Sequence, residues 1–320
     1  MHVENHSYPL ANPVTIDSCS VCQNEDVEPF IQTTAMMHAR DDALYEFHRC
    51  RNCATVFLAN PEDEEQLSRF YSSAYLPYRG SSAWGKFAKF VENDDRKLNQ
   101  RRSKRAASVL DNKDRPRILD IGCGKPDFLK TFTEKHNAKA VGVDFMAANW
   151  EQPQFKQLEL HQCDWKTFAF DSTFDVITAW HYLEHDYDLP STVSKIYDLL
   201  KPGGYFIAEV PMHEGILQQY QKQHWQGWHT PRHLTLFSKK SWSTLFPDTH
   251  WDIVEHQTHG TMSAFTLWWL GHRETKATDW KGDMSKYFWG LVFWKVMLAP
   301  FFLLEKVVPM GVQTVIIRKK

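Results

Sequence analysis

The sequence predicts an α/β fold in which a mostly parallel sheet holds a ligand at the carboxyl ends of its strands. An apolar run that ends at Asp120 is followed by two glycines, Gly122 and Gly124, and then by a helical pattern. Such a strand, turn and helix N-terminus can hold a nucleotide-like ligand, because glycine lets the ligand approach the backbone closely. A second apolar run ends at Asp144, roughly 20 residues further on, where a carboxylate can hold a ribose. A helix end, the turn at residues 201–204 and another apolar run add a further strand.

Residues 120–126 read Asp-Ile-Gly-Cys-Gly-Lys-Pro. They resemble the first motif of the class I S-adenosylmethionine (SAM)-dependent methyltransferases, Asp-x-Gly-x-Gly-x-Gly, with Pro126 in place of the third glycine. Proline suits the first turn of a helix, so the fold is expected to survive this departure. The resemblance implies a Rossmann-like seven-stranded methyltransferase sheet with an antiparallel last strand. It also implies SAM as cofactor, held by Asp120, Gly122, Gly124 and Asp144.

The composition is that of a soluble globular protein of 320 residues, with 42% hydrophobic and 24% charged residues. A chain of this length can form one sizeable domain and a small one. Its net charge of -2 argues against a nucleic-acid partner, which would favour a basic chain. Residues 1–6 carry neither the basic stretch nor the apolar run of a secretory signal. We therefore expect a cytoplasmic, reducing location, in which cysteines act as ligands or buried thiols.

Two Cys-x-x-Cys pairs, Cys19 with Cys22 and Cys50 with Cys53, predict a four-cysteine zinc site. Four protein thiolates leave no open coordination position, so the zinc is expected to be structural. His48 is the alternative ligand near the second pair. A region this small has little core of its own and is expected to depend on the metal for its stability.

The chain divides into three predicted parts: a zinc-binding domain at 1–62, a helical linker at 63–115 and a methyltransferase domain at 116–320. The second cysteine pair, an apolar strand, an acidic helix and an aromatic cluster resemble the N-terminal zinc-binding region of a bacterial methyltransferase group. Members of that group act on sugars, secondary metabolites or quinone-type compounds. Residues 81–85 are predicted to form a linker, and residues 86–110 a helix with a basic outer face. That face is either solvated or contacts an anion.

Further cofactor contacts are expected at the ends of two later strands. Asp164 follows an apolar run, and the methyltransferase resemblance implies that it holds the amino group of adenine, with Trp165 beside the ring. Trp165 can equally be part of the core. Trp180 ends the next predicted strand and is expected to line the cofactor site.

Histidines and one glutamate supply the candidate catalytic groups. Residues 181–185 read His-Tyr-Leu-Glu-His, similar to a His-x-Leu-Glu-His segment of the same family, so His181, Glu184 and His185 are expected beside the methyl acceptor. The alternative is that they pack against the cofactor and cap the following helix. His229 and His233 lie in a polar and aromatic loop that resembles a segment overhanging the substrate cleft. They can serve as substrate contacts or general base, pack in the interior, or bind a metal, although that loop has no carboxylate at ligand spacing.

A hydrophobic insert at about 261–310 separates the last two predicted strands, far more than the length of an ordinary hairpin loop. Its longest apolar run, 287–304, contains Lys295 and Pro300. Both flanking strands belong to one sheet, so a single membrane crossing is excluded. We expect peripheral membrane contact through 265–304, on the inner membrane; a lid, a dimer surface and a lipid-substrate tunnel are the alternatives.

The predicted function is transfer of a methyl group from SAM to a small-molecule or lipid-linked acceptor, by O-methylation with a histidine general base. An RNA methyltransferase that grips nucleic acid with the zinc region and the basic helix is the second reading. A non-catalytic binding module with the same fold is the third. The sequence does not indicate the oligomeric state.

Overall fold

The computed structural model describes residues 10–11, 15–37, 43–71, 75–111, 113–147, 149–276 and 278–320. Residues 1–6, on which the expected absence of a secretory signal rests, lie outside these ranges. The strands in chain order are β1 (Val27–Thr33), β2 (Tyr45–Cys50), β3 (Val56–Leu58), β4 (Arg117–Ile121), β5 (Lys139–Asp144), β6 (Glu159–Gln162), β7 (Phe174–Trp180), β8 (Leu200–Pro211), β9 (Thr235–Leu236), β10 (Trp251–Gln257) and β11 (Val312–Lys319).

The α-helices alternate with these strands through the larger part of the chain. They are α1 (Glu64–Leu67), α2 (Leu76–Arg79), α3 (Ala88–Ala107), α4 (Asp127–His136), α5 (Leu189–Leu199), α6 (Ile216–Gln221), α7 (Lys239–Leu245), α8 (Ala264–Glu274), α9 (Phe288–Met297) and α10 (Ala299–Phe302). Short 3-10 helices include Gly80–Phe87, Met284–Tyr287 and Leu303–Lys306.

The main sheet has seven strands in the order β10-β11-β8-β7-β4-β5-β6. Strands β4 to β8 pair in parallel, whereas β11 is antiparallel to both of its neighbours, β8 and β10. The predicted Rossmann-like sheet with an antiparallel last strand is therefore confirmed. Because the order reverses beside β4, the carboxyl ends of β4 and β7 meet where open α/β sheets bind ligands.

Both faces of the sheet are covered, as the apolar composition of its central strands requires. All seven residues of β7 are buried. Ile118 and Val176 face Phe128 and Phe132 of α4 on one side. On the other side, Ile177 lies in a cluster that includes Ile196 of α5.

The cysteine-bearing region forms a second sheet of four strands, in the order β1-β2-β3-β9. Its last strand comes from the part predicted as the methyltransferase domain, because Val56 and Phe57 pair with Leu236 and Thr235. The boundary near residue 62 stays a prediction. The two regions nevertheless share a sheet and a core, since Phe57 packs in the same apolar cluster as Ile177.

One expectation about the segment before β4 is wrong, and another, the basic outer face of α3, holds for Arg96, Lys97, Arg101 and Lys104 but not for two further arginines. Residues 81–85 are part of a 3-10 helix rather than a linker, and Ala83 and Trp84 are buried there, with Trp84 packed against Trp269 at 5.7 Å. The basic residues of α3 do not all face outward. Arg105 pairs with Glu255 at 3.0 Å, and Arg102 lies over the Trp180 ring at 5.2 Å. Polar and small residues, not large apolar ones, are buried on this helix, so its inward face can accept arginines.

The insert between β10 and β11 forms α8, α9 and α10. No single helix in the described part of the chain is long and apolar enough to cross a membrane. The helix pair Met284–Met297 and Ala299–Lys306 is bent by 62°. Taken together, the two helices have the length and apolar composition of a membrane segment.

Candidate active site

The glycine turn after β4 has the backbone that the sequence predicts. Gly122 and Gly124 adopt φ values of +68° and +47°, a region that side chains disfavour. A Cβ on Gly124 would meet no atom within 4 Å, so this glycine borders open space. A Cβ on Gly122 would lie 2.5 Å from the Tyr182 ring, which therefore covers the turn closely.

Asp144 joins this turn to the end of β5. Its Oδ2 accepts a hydrogen bond from Gly124 N at 2.8 Å, and its Oδ1 accepts one from Met146 N at 2.9 Å. Burial raises the pKa of Asp144, and these main-chain donors oppose the rise. Each carboxylate oxygen can accept more than one hydrogen bond. Asp144 can therefore hold the turn and still accept hydroxyl groups of a ligand.

Asp120 is turned into the protein instead. Its Oδ1 accepts a hydrogen bond from Thr178 Oγ1 at 2.6 Å, which ties β4 to β7. Burial raises the pKa of Asp120 to about 7, against the lowering effects of Thr178 and Arg102. The structure shows a positioning contact for Asp120, and its expected cofactor contact stays a prediction.

The expected adenine residues occupy two different environments. Asp164 is exposed after β6, whereas Trp165 is buried and its Nε1 donates to Tyr182 Oη at 2.7 Å. Because the same tyrosine covers Gly122, Trp165 is linked to the glycine turn through one side chain. Trp180 lies on the other face of the sheet, 5.5 Å from Phe128.

His181 lies between two buried carboxylates, a contact that the sequence could not reveal. Its Nδ1 is 3.2 Å from Glu184 Oε1, and its Nε2 is 3.3 Å from Glu209 Oε1. Burial opposes the charged form, but the two carboxylates outweigh it and raise the pKa of His181 to about 9. The pKa of Glu209 falls to about 2 because of its histidine and main-chain partners, which outweigh burial. His181 is therefore protonated near neutral pH.

His185 and His233 are neutral by contrast, because burial lowers the pKa of both, that of His233 to about 3. The Nδ1 of His185 is 2.9 Å from Arg232 O, and that of His233 is 2.7 Å from Gly227 O. A carbonyl oxygen only accepts, so in each ring Nδ1 carries the proton and Nε2 keeps a lone pair.

Glu184 brings these two histidines together. A ring nitrogen of His185, one of His233 and an oxygen of Glu184 all lie within 4.8 Å of one another. Glu184 Oε2 is buried, with no hydrogen-bond partner among the described residues. The carboxylate that the loop of His229 and His233 lacks in sequence is thus supplied from the end of β7.

A buried arginine and two tyrosines close this cluster. Arg232 donates to Phe70 O at 2.6 Å and to Met36 O at 3.0 Å, and it lies over the Tyr75 ring at 4.3 Å. Tyr75 Oη and His229 Nε2 are hydrogen-bonded at 2.5 Å. Tyr71 Oη lies 3.2 Å from His185 Nδ1. The five predicted catalytic residues therefore share one enclosed site.

Three charged contributors to this site were not predicted, Glu209, Arg232 and Arg102, nor were the tyrosines that cover it. Arg102 has a buried Nε without a partner among the described residues, and burial lowers its pKa. A single basic residue in a helix full of basic residues gives no sequence signal of an inward position. Glu209 lies in an apolar strand, where one carboxylate could have been recognised as unusual.

The four predicted zinc ligands converge beside the second sheet, where Cys50 ends β2 and the other three lie at turns. Cys19 Sγ is 3.5 Å from Cys53 Sγ, Cys22 Sγ is 3.5 Å from Cys50 Sγ, and all four sulfurs lie within 4.8 Å of one another. Main-chain N–H groups of residues 21 and 53 point at two of them. The alternative ligand, His48, is not part of this group. The donor set fits a closed tetrahedral zinc site.

Comparison with known proteins identifies the larger part of the chain. The family model described as "Methyltransferase domain" matches residues 90–256, more than half of the chain. The chain belongs to the methyltransferase domain family. That match includes the glycine turn, Asp144 and the five residues of the histidine cluster.

Individual relatives of this methyltransferase are distant. An uncharacterized protein of Haemophilus influenzae is 31% identical over 31% of this chain and 44% of its own length. The phosphoethanolamine N-methyltransferase of Triticum aestivum is 29% identical over 32% of this chain and 22% of its own length. The matched part thus spans less than half of either relative.

Two solved structures illustrate the similarity to known folds. Coclaurine N-methyltransferase, bound to N-methylheliamine and SAH, matches 69% of this chain and 72% of its own, with a TM-score of 0.47 and 12% identity. A mycolic acid cyclopropane synthase, complexed with SAH and CTAB, matches 68% of this chain and 83% of its own, with a TM-score of 0.48 and 14% identity.

Proposed function

We propose that this methyltransferase transfers a methyl group from SAM to an oxygen atom of a small-molecule or lipid-linked acceptor. One observation carries the proposal: the glycine turn held by Asp144 follows β4, the segment of His181 and His185 follows the neighbouring parallel strand β7, and Tyr182 of that segment covers Gly122. A cofactor site and a proton-accepting site are then neighbours, as methyl transfer to a hydroxyl requires.

Four residues are suited to hold SAM. Gly124 borders open space and lets the ligand approach the turn, Gly122 gives the turn its positive φ, and Asp144 retains acceptor capacity for the ribose hydroxyls. Arg102 offers a buried cation with an unpartnered Nε, which suits the carboxylate at the methionine end. SAM brings an already activated methyl group, so the protein has to align the acceptor and accept its proton.

His185 is the proposed general base, with His233 beside it. Its Nδ1–H is held by Arg232 O, so Nε2 is free to take the proton of an acceptor hydroxyl. The neighbouring Glu184 would stabilise the imidazolium that forms. His181 is already protonated through Glu184 and Glu209, which makes it a poor base at neutral pH.

Positioning supplies the rest of the proposed rate enhancement. Tyr71 and Tyr75 cover the cluster and restrict the access of water. Arg232 orients His185 through its main-chain oxygen, and its guanidinium holds Phe70, the residue before Tyr71. Alignment of this kind contributes on the order of 7–11 kcal/mol to lowering a barrier.

The test is methyl transfer from labelled SAM to hydroxyl acceptors, including sugars, quinols and their lipid-linked forms. The variant His185→Ala should retain SAM binding by calorimetry and lose about 10²–10⁴-fold in turnover. The exposed His250 provides the matched control His250→Ala, which should leave turnover unchanged. Full turnover by His185→Ala and by His233→Ala would refute the base, and transfer confined to amines would refute the oxygen acceptor.

We also propose that the four cysteines hold a structural zinc ion and that the protein is cytoplasmic. Four convergent thiols without a disulfide support both, since a reducing compartment keeps such thiols available. RNA methylation finds less support, because Arg102 and Arg105 of the basic helix turn inward. A non-catalytic module would be indicated by failure of the protein to bind SAM.

A further inference from the structure

The helices of the insert leave one large apolar surface exposed. We define it as Phe90 together with the outward side chains of 289–307. Trp289 is 69% exposed, Val296 67% and Leu303 79%. Contiguous exposure of this kind is uncommon in a protein that stays in water, and it marks a docking site.

The opposite side of the same helices is well packed, so the exposure is a property of the fold. Phe288 stacks on Phe87 with ring centroids 3.8 Å apart. Trp294 contacts Trp268 at 5.6 Å, and Phe302 contacts Phe265 at 5.5 Å. The helices are held firmly on one side and present apolar groups on the other.

Three lysines lie along this surface. Lys286, Lys295 and Lys306 are exposed along 284–307. The one acidic residue of that stretch, Glu305, is turned inward, where it accepts hydrogen bonds from Ala264 N at 3.0 Å and from the Ser263 hydroxyl at 3.3 Å. Asp94 of α3 neutralises Lys295 at 2.6 Å. Asp279 lies 3.7 Å from Lys286. Both ion pairs are exposed to solvent, where such pairs contribute little, so the lysines remain accessible to lipid phosphates.

The composition of this surface favours a bilayer over a second copy of the chain. The bent pair Met284–Met297 and Ala299–Lys306, taken together, has the length and apolar composition of a membrane segment, and its exposed aromatic groups are interspersed with lysines, as in helices that lie at a bilayer interface. An anionic bilayer offers hydrocarbon for the aromatic and aliphatic groups and phosphate for the lysines.

We propose that the apolar surface docks this protein on an anionic lipid bilayer. The bent helix pair lies in the interface with Trp289, Phe293 and Val296 among the acyl chains. The 62° bend lets both helices follow the membrane surface instead of crossing it. The lysines remain at the level of the headgroups.

The docking surface is connected to the active site through α2. Arg79 donates to the carbonyls of Trp280, Lys281 and Gly282 at 3.2, 2.9 and 2.8 Å, just before the apolar helices begin. Four residues earlier, Tyr75 is hydrogen-bonded to His229. This link rests on the proposed function and adds to it. Through Arg79 and α2, contact with a membrane can change the position of the tyrosines that cover the histidine cluster.

The experiment is sedimentation of the full chain with vesicles of phosphatidylcholine alone and of phosphatidylcholine mixed with phosphatidylglycerol. The wild type should bind the mixed vesicles more tightly, with affinity falling as salt increases. Phe293→Ser/Val296→Ser should weaken binding at least about tenfold. The matched control Tyr220→Ser alters a side chain that is 77% exposed on α6 and should bind like the wild type.

Two results would overturn the proposal. One is a wild type that stays in solution with both kinds of vesicle. The other is a dimer, measured by light scattering, that Phe293→Ser/Val296→Ser dissociates, because a second copy would then be the occupant. Arg79→Ala should keep vesicle binding and lose any stimulation of methyl transfer by vesicles. Vesicle binding is measured without SAM, so failure of the proposed reaction leaves this result interpretable.

Discussion

Replacing His181 by glutamine should change how stability depends on pH. In the wild type the two carboxylates raise the pKa of His181 to about 9 from an ordinary value of 6.5. The folded protein therefore holds a proton that the unfolded chain releases between these values. The resulting stabilisation is complete below pH 6.5 and is lost as pH rises through about 9. The difference in pKa corresponds to about 3 kcal/mol.

The assay is urea unfolding of the wild type and of His181→Gln across this range of pH. Between about pH 6.5 and 10 the free energy of unfolding of the wild type should fall by about 3 kcal/mol more than that of the variant. Tyrosines, lysines and cysteines also titrate at high pH, and comparison with the variant removes their shared contribution. His250→Gln, an exposed control, should follow the wild type.

The variant should also be less stable near neutral pH, because Glu184 and Glu209 lose the cation between them. Removing one partner of a buried charge cluster costs on the order of 3–5 kcal/mol. Parallel pH profiles for the wild type and His181→Gln would refute the reasoning. His181 would then not be protonated in the folded protein, and it would return as a candidate base.

Other expected outcomes concern the cofactor, the zinc and the histidine cluster. Calorimetry should show SAM binding that Asp144→Ala abolishes. Arg102→Met should weaken it by about tenfold or more, since a charged hydrogen bond contributes about 1.5–3 kcal/mol. Variants that bind SAM as tightly as the wild type would remove both residues from the site. Elemental analysis should find one zinc ion per chain. Cys50→Ser should lose the zinc and unfold at a markedly lower temperature. Cys163→Ser, whose sulfur lies outside the four-cysteine group, should retain it. Brief treatment with a chelator that leaves the zinc in place should not reduce turnover, because the proposed base, His185, needs no metal. Loss of activity that added divalent cations restore would show instead that the histidine cluster holds a cation.

The main sheet could be predicted from sequence because its signals are local. An apolar run, a glycine turn and a carboxylate at the end of the next strand each depend on neighbouring residues, and β4 and β5 lie where these signals place them. The cysteine spacing is local in the same sense. The antiparallel β11 followed from the family resemblance and was confirmed.

Contacts between segments that are distant in sequence could not be predicted from local patterns. β9 has two residues, too few for a strand pattern, yet it completes the second sheet. The pairing of Glu184 with His233 joins the end of β7 to a later loop, and nothing in either segment specifies it. The basic residues of 86–110 were assigned to the outer face because basic residues on a helix are usually exposed, whereas the position of Arg102 beside Trp180 depends on tertiary packing.

The pairing of β3 with β9 has a consequence for synthesis on the ribosome. Val56 pairs with Leu236, which follows it by 180 residues. The edge of β3 therefore stays unpaired while most of the chain is still being synthesised. The nascent N-terminal region should remain sensitive to protease until residue 236 has left the exit tunnel. Early capture of zinc by the four cysteines would hold that region together during the delay. Zinc supply during translation, rather than afterwards, would then decide how much of the newly made chain reaches the folded state.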